Sequence, residues 1–278
     1  MTEMRLYACG LRRIFCLCAA LVLTLPAQTL AAAELKLATT HTLEDSGLLK
    51  MLIPAFEAAS GVKVRLAIGG TGQVIKLAAN GDVDAVMSHV KAQEDKLVSS
   101  GAGLKRYAVV YNDFFIAGPP QDPARIRGMR DAVEVMRKIH DAKVRFVSRG
   151  DESGTHVKER ELWRAAGLEP RWTGYLSAGA GMGSVLMMAG EMQAYTLCDR
   201  GTFAALRSRT GLEILAAGDP RLYNEYGVVA VNPARFRGIN ADSAAKFVAW
   251  LTSPEAQRLI AGFRIGGQQV YFPAAAAR

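Results

Sequence analysis

Ser148-Arg149-Gly150-Asp151-Glu152-Ser153-Gly154-Thr155-His156 is the stretch whose reading decides the fold. It follows Lys143-Val144-Arg145-Phe146-Val147, where apolar and basic residues alternate as they do along a strand. Behind it, Val157, Leu162, Trp163 and Ala166 recur at helical spacing. The nine residues are therefore a strand-to-helix turn carrying hydroxyls, two glycines and one arginine. Such a turn exposes backbone N–H groups at the positive end of a helix dipole, where an anion is stabilised. Arg149 adds a permanent charge and a fork of donors. The same residues also read as an ordinary capped helix start, with Ser153 or Thr155 as cap and Asp151 in the first turn.

The rest of the chain repeats the layout. Glu34-Leu35-Lys36-Leu37-Ala38 alternates as a strand, and residues 39–47 form a hydroxyl- and glycine-bearing loop before the apolar face Leu49, Leu52, Ile53, Phe56. Pro54 is expected to kink or end that helix. Residues 62–68 alternate, and Gly69-Gly70-Thr71-Gly72-Gln73 opens another helix. Ala85-Val86-Met87 reads as a short buried strand, followed by two strands at 104–111 and 114–117. Gly118-Pro119-Pro120 marks a crossing into a second domain. There Gly179-Ala180-Gly181-Met182-Gly183-Ser184 and Asp199-Arg200-Gly201-Thr202 each open a helix. Strands at 214–216 and 226–231 are expected to return to the first domain. Alternating strands and helices indicate an α/β fold of two lobes with mainly parallel sheets: 34–115 and 208–278 in one, 116–207 in the other. A ligand then belongs in the interlobe cleft, where strand ends of both lobes meet.

Composition narrows the classes. Hydrophobic residues make up 50% of the 278 and charged ones 22%, which suits a globular core. Residues 1–33 differ: Arg5, Arg12 and Arg13 precede an apolar run over 14–27, and Ala31-Ala32-Ala33 offers a cleavage site. This reads as a signal peptide, which places the mature protein in the periplasm. Only Cys198 then remains, so no internal disulfide is available. Without Arg5, Arg12, Arg13 and Glu3 the net charge of +8 falls by two. The basic residues are scattered among acidic ones, which excludes a nucleic-acid partner and suits attraction of small anions.

Five glycine-, serine- and threonine-rich loops, each ending a strand and starting a helix, imply a pocket walled by neutral donors. Such a lining fits an oxyanion whose oxygens each accept several hydrogen bonds, with Arg149 supplying charge. Ser153, Thr155, Gly181, Gly183 and Asp199 join the candidate ligand-binding set on this ground. Other chemistries fit less well. The Gly69–Gly72 loop lacks the spacing of a dinucleotide fingerprint. His41, His89, His140 and His156 show no pairing with acids or thiols, so no metal site and no cofactor are expected. Ser153, His156 and Asp151 invite a serine-hydrolase reading, but no nucleophile elbow is present. Asp151 and Asp199 read as helix caps or partners of Arg149.

Leu37-Ala38-Thr39-Thr40-His41-Thr42, Asp45-Ser46-Gly47-Leu48-Leu49, Gly70-Thr71-Gly72-Gln73, Tyr111-Asn112-Asp113-Phe114, the central nine residues, Gly181-Met182-Gly183 and residues 195–202 together resemble the TupA-type tungstate-binding periplasmic proteins of ABC transporters. The likeness runs over essentially the whole chain after the leader. It implies a type II solute-binding protein, not an enzyme, that closes over tungstate and delivers it to a membrane permease. It also implies ligand contacts from Thr39, Thr40 and Thr42, from Thr71 and Gly72, and from Arg149. His41 departs from the family's pattern, in which that position is Thr and the next is Ser. An imidazole beside the anion would strengthen binding at low pH. Molybdate binding, or sensing of the same anions, are the neighbouring possibilities, and a monomer is expected. Rejection of sulfate is expected to rest on cavity size, and of phosphate on the lack of an acceptor for its proton.

Overall fold

Leu35 and Leu37 are buried while Lys36 between them is exposed, and this alternation starts β1 (Glu34–Thr40) in the computed structural model, which describes residues 33–275. The leader expected over 1–33 lies outside the described residues except for Ala33. After β1 the chain enters a five-residue helix, α1 (His41–Asp45), where the sequence suggested a loop. Helix α2 (Leu48–Ser60) follows and ends on Gly61, whose φ of 68° is a left-handed cap. Pro54 lies inside α2 and does not end it, which excludes one of the two expected outcomes, the end of the helix. Phe56 beyond it is anchored between Phe247 and Trp250, with ring centroids 5.0 and 5.7 Å away. Tertiary burial of that face outweighs the lost backbone bond.

Strand β2 (Lys63–Gly69), helix α3 (Thr71–Asn80), β3 (Ala85–Ser88) and α4 (Lys91–Ser99) complete two further strand–helix units. β2 and β3 flank β1 in parallel. Then β4 (Gly103–Gly118) runs unbroken for sixteen residues where two strands were expected. Its first part pairs antiparallel with β9 (Tyr223–Val231) and its last part with two strands of the second lobe. The crossing between lobes is thus made inside a strand, at Asp113 and Phe114, and not at Gly118-Pro119-Pro120.

The second lobe contains α5 (Ala132–Asp141), β5 (Phe146–Ser148), α6 (Gly154–Ala165), β6 (Tyr175–Ser177), α7 (Met182–Met192), β7 (Thr196–Asp199), α8 (Arg200–Thr210) and β8 (Glu213–Ala216). β5 pairs in parallel with β6 and lies beside Tyr195, just before β7. β7 and β8 flank the end of β4, both antiparallel. Ile214 to Ala216 therefore belongs to the second lobe and not to the first. The return crossing falls between Ala216 and Tyr223, later than the boundary expected between 207 and 208. Leu215, Ala216 and Leu222 pack with Ile116, Val135, Phe146 and Trp163 in the second lobe's core, which fixes the strand there.

The first sheet runs β12-β4-β9-β3-β1-β2, with β12 (Phe272–Pro273) on the outer edge of β4. It is mixed, because β9 joins β3 antiparallel. Helices α9 (Ala241–Leu251) and α10 (Pro254–Gly262) cover one face, over Leu35, Leu37, Phe56 and Val109. The opposite face buries Ala38, Val74, Val86 and Val229. A two-stranded hairpin, β10 (Arg264–Ile265) with β11 (Gln268–Gln269), precedes β12.

Candidate functional site

Parallel register places the loops. Thr40 is level with Gly69 and Thr39 with Met87, so Thr39-Thr40, Gly70-Thr71 and Ser88-His89 emerge along one edge of the first sheet. In the second lobe Ser148 is level with Ser177, and the start of α6 therefore lies beside the approach to α7. Phe114 opposite Asp199 puts the start of α8 against the strand crossing. Four helix N-termini, of α3, α6, α7 and α8, consequently open from loops at these strand ends.

The two edges meet. The Gly154 N–H donates to Thr71 Oγ1 at 3.1 Å, joining the starts of α6 and α3 across the lobes. A Cβ on Gly70 would lie 3.5 Å from the Asp151 carbonyl oxygen, and one on Gly72 3.9 Å from that of Glu152. A Cβ on Gly183, in the first turn of α7, would lie 3.6 Å from Asp45 Oδ2 of α1. Gly181 caps α7. The lobes are closed on one another, which is why the lining is inaccessible: Thr39, Thr40, Thr42, Thr71, Arg149, Ser153, Thr155 and Asp199 are all buried.

Gly150 shows why the central turn has its sequence. Its φ is +61°, and a Cβ there would collide with Ser177 Oγ. Only glycine combines that dihedral with so close a neighbour. Ser153 caps α6, its Oγ accepting the His156 N–H at 3.3 Å, while His156 Nδ1 accepts the Glu152 N–H at 3.1 Å. Both side chains are thus occupied by turn bonds, and the serine-hydrolase geometry does not form from them. Asp151 accepts from Arg149 Nη2 at 2.5 Å. Burial pushes the Asp151 carboxyl up, but Arg149 and the bonds from Ser153 outweigh it and hold its pKa below the usual range. Asp199 caps α8 by accepting the Thr202 N–H at 2.9 Å. Both aspartates therefore do what the sequence implied.

Several buried polar atoms here have no partner in the protein: Thr39 Oγ1, Thr155 Oγ1 and Arg149 Nε among the expected residues. Each such group costs about 1–3 kcal/mol when left unmet. Three donors of this kind beside helix N-termini fit an oxyanion, which would satisfy all of them at once. Thr40 Oγ1 and Thr42 Oγ1 bond each other at 3.0 Å. His41 stands apart from these buried neighbours: its side chain is 41% exposed and lies 3.9 Å from Glu44 Oε2.

His89 escaped the sequence reading, which weighed it only as a metal ligand. Its Nδ1 is 2.9 Å from Asn224 Oδ1, and Asn224 Nδ2 donates to Asn112 Oδ1 at 2.6 Å. With the Asn224 amide so oriented, His89 donates from Nδ1 and presents the Nε2 lone pair, unpartnered, against Gly154. Its ring stacks on Tyr226 at 4.8 Å. Burial lowers its pKa to about 4, only partly offset by Asn224. Its place directly after a buried strand, matching Thr39-Thr40, is the signal that could have found it. His89 Nε2 and Asp199 Oδ2 are both buried acceptors without a partner in the protein.

A family model described as a PBP superfamily domain matches residues 26–255. A tungstate-binding protein TupA from Peptoclostridium acidaminophilum is 44% identical over 84% of this chain and 82% of its own length. The chain belongs to the TupA family. Two solved structures extend the match. That of a tungstate ABC transporter protein from Geobacter sulfurreducens is 46% identical, with a TM-score of 0.76 over 83% of this chain and 98% of that one. TupA from Desulfovibrio alaskensis G20 is 38% identical, with a TM-score of 0.76 over 88% of this chain and all of that one. The two-lobed α/β architecture of this TupA homologue is thus the family's. Among its described residues no helix is long and apolar enough to cross a membrane.

Proposed function

We propose that this protein binds tungstate in the interlobe cleft and serves as the substrate-binding component of an ABC importer. It acts in the periplasm as a monomer, needs no cofactor, performs no catalysis and hands the anion to a membrane permease. The observation that carries this reading is the set of buried, partnerless donors, Thr39 Oγ1, Thr155 Oγ1 and Arg149 Nε, at facing strand ends of the two lobes. The tungstate-binding relatives support it. Helix N-termini and hydroxyls grip the anion oxygens while Arg149 offsets charge, and lobe closure excludes water and strengthens every bond. Thr40, Thr42, Thr71, Ser153, Gly72, Gly181 and Gly183 complete the lining.

Calorimetric titration with tungstate, molybdate, sulfate and phosphate tests the reading. Tungstate should bind tightly and sulfate and phosphate should give no heat; binding of molybdate alone would move the assignment to that anion. Arg149→Ala should weaken binding by at least about 3 kcal/mol, more than a hundredfold, because a buried anion loses its charge partner and Asp151 is left unpaired. Near-native affinity in that variant would overturn the placement of the anion.

A further inference from the structure

Asp199 does more than cap a helix. Its Oδ1 takes the Thr202 N–H, but Oδ2 has no hydrogen-bond partner, and the residue is fully buried. An ionised oxygen in that position is costly, because burial penalises charge and the nearest side-chain donor is the uncharged Thr202 hydroxyl.

Of the groups around it, the Thr202 hydroxyl and Arg149 relieve the charge in part, and burial outweighs them. From the turn after β5 comes Arg149, whose guanidinium is already paired with Asp151 at 2.5 Å. α1 brings Asp45, a further negative charge, though an exposed one. β4 brings Asp113, held bidentately by Arg200 at 2.5 and 2.6 Å, so the arginine beside Asp199 in sequence is spent. α6 brings Glu159, whose carboxylate is occupied by Trp163 and Tyr175. β9 and the segment before β12 bring Tyr226 and Tyr271, both neutral and raised by burial. β10 brings Arg264, which donates to the carbonyls of Ala261 and Phe263. α7 brings only Glu191, next to its C-terminal end. Cys198 alongside is buried and kept a thiol by that burial.

Arg149 supplies a single positive charge to be shared by Asp151, Asp199 and the dianion, so with Asp199 ionised the closed pocket would hold an excess of negative charge. The lining is inaccessible in the closed form, so the lobes must part for the anion to enter, and Asp199 then meets water. We propose that closing over the dianion takes up one proton from solution onto Asp199 Oδ2, which becomes an O–H donor facing the anion, and that release returns the proton. The uptake rests on the tungstate reading above. No covalent bond other than this O–H forms or breaks, and the buried charge brought in falls from two to one. Burial already pushes the Asp199 carboxyl upward, with the Thr202 bonds and Arg149 pulling the other way. A neighbouring dianion would push it further.

The test is titration of the purified protein with tungstate near neutral pH, in buffers of different ionisation enthalpy. The parent should take up close to one proton per anion, with affinity falling up to about tenfold per pH unit as pH rises. Asp199→Asn keeps a side-chain oxygen for the Thr202 N–H and offers an N–H donor instead. It should bind tungstate with uptake near zero and a flat pH profile. Tungstate binding by the parent with no uptake would overturn the proposal, as would uptake persisting in Asp199→Asn. Absence of tungstate binding by the parent would overturn the functional reading beneath it, and the two failures are distinguishable. The parent measurement needs no variant, so it decides the question even if Asp199→Asn folds poorly.

Discussion

At the level of single side chains, His89 carries the clearest energetic signature. Its imidazole titrates near 4 when buried, against about 6.5 in an unfolded chain. Between those values the unfolded chain binds the proton and the folded one does not. Stability should therefore fall as pH drops from about 6.5 towards 4, by up to ~3 kcal/mol, and be full above that window. Urea unfolding of the parent and of His89→Asn across this range checks it. The difference between them should shrink at low pH, and a constant difference would contradict a neutral, buried His89. Residue by residue, Arg149, Thr39 and Thr155 are legible in the sequence because their types and positions, after strands and before helices, already imply anion contacts. His41 and His89 are not. One lies on a five-residue helix beside Glu44; the other follows a buried strand as Thr39-Thr40 do, but its tie to the Asn224 amide has no local sequence signal.

Among elements, β4 and β9 matter most. They are adjacent antiparallel strands that carry the chain between lobes, and Asn112 is directly opposite Asn224 at that place. Asn224 donates to Asn112 and Tyr226 and accepts from His89, so one amide ties β3, β4 and β9 together beside the crossing. Asn224→Ala would strand the His89 N–H and the Asn112 carbonyl in a buried site. It should cost about 1–3 kcal/mol per orphaned group, read as a lower midpoint in chemical denaturation. A midpoint equal to the parent's would show the amide network to be slack. Helix starts are well marked in the sequence, since Ser153, Asp199, Asp131 and Ser253 each cap with their own oxygen. The run 103–118 reads as two strands because the Asn112-Asp113 pair looks like a break. Pairing on both halves holds it extended regardless.

For the whole molecule, the Thr71–Gly154 bond and the packing of Gly70 against Asp151 define a closed form, and a closed form that buries its ligand site must open. Tungstate should therefore shift the population towards compactness. Small-angle scattering should give a smaller radius of gyration with the anion than without it, and an identical radius would mean that closure does not depend on ligand. Separate packing in each lobe, around Leu35, Phe56 and Phe247 in one and around Phe146, Ile116 and Trp163 in the other, lets each lobe move as a body about the β4 and β9 crossings.

Taken alone, the amino-acid order determined the α/β class, the strand–turn–helix units and the hydroxyl- and glycine-rich turns, because periodicity, caps and turn chemistry act over a few residues. Where the chain crosses between lobes, that β8 returns to the second lobe, and that His89 and Asp199 keep unmatched acceptors were settled by tertiary structure. Strand partners, closure and burial depend on residues far apart in the chain, and no short window contains them.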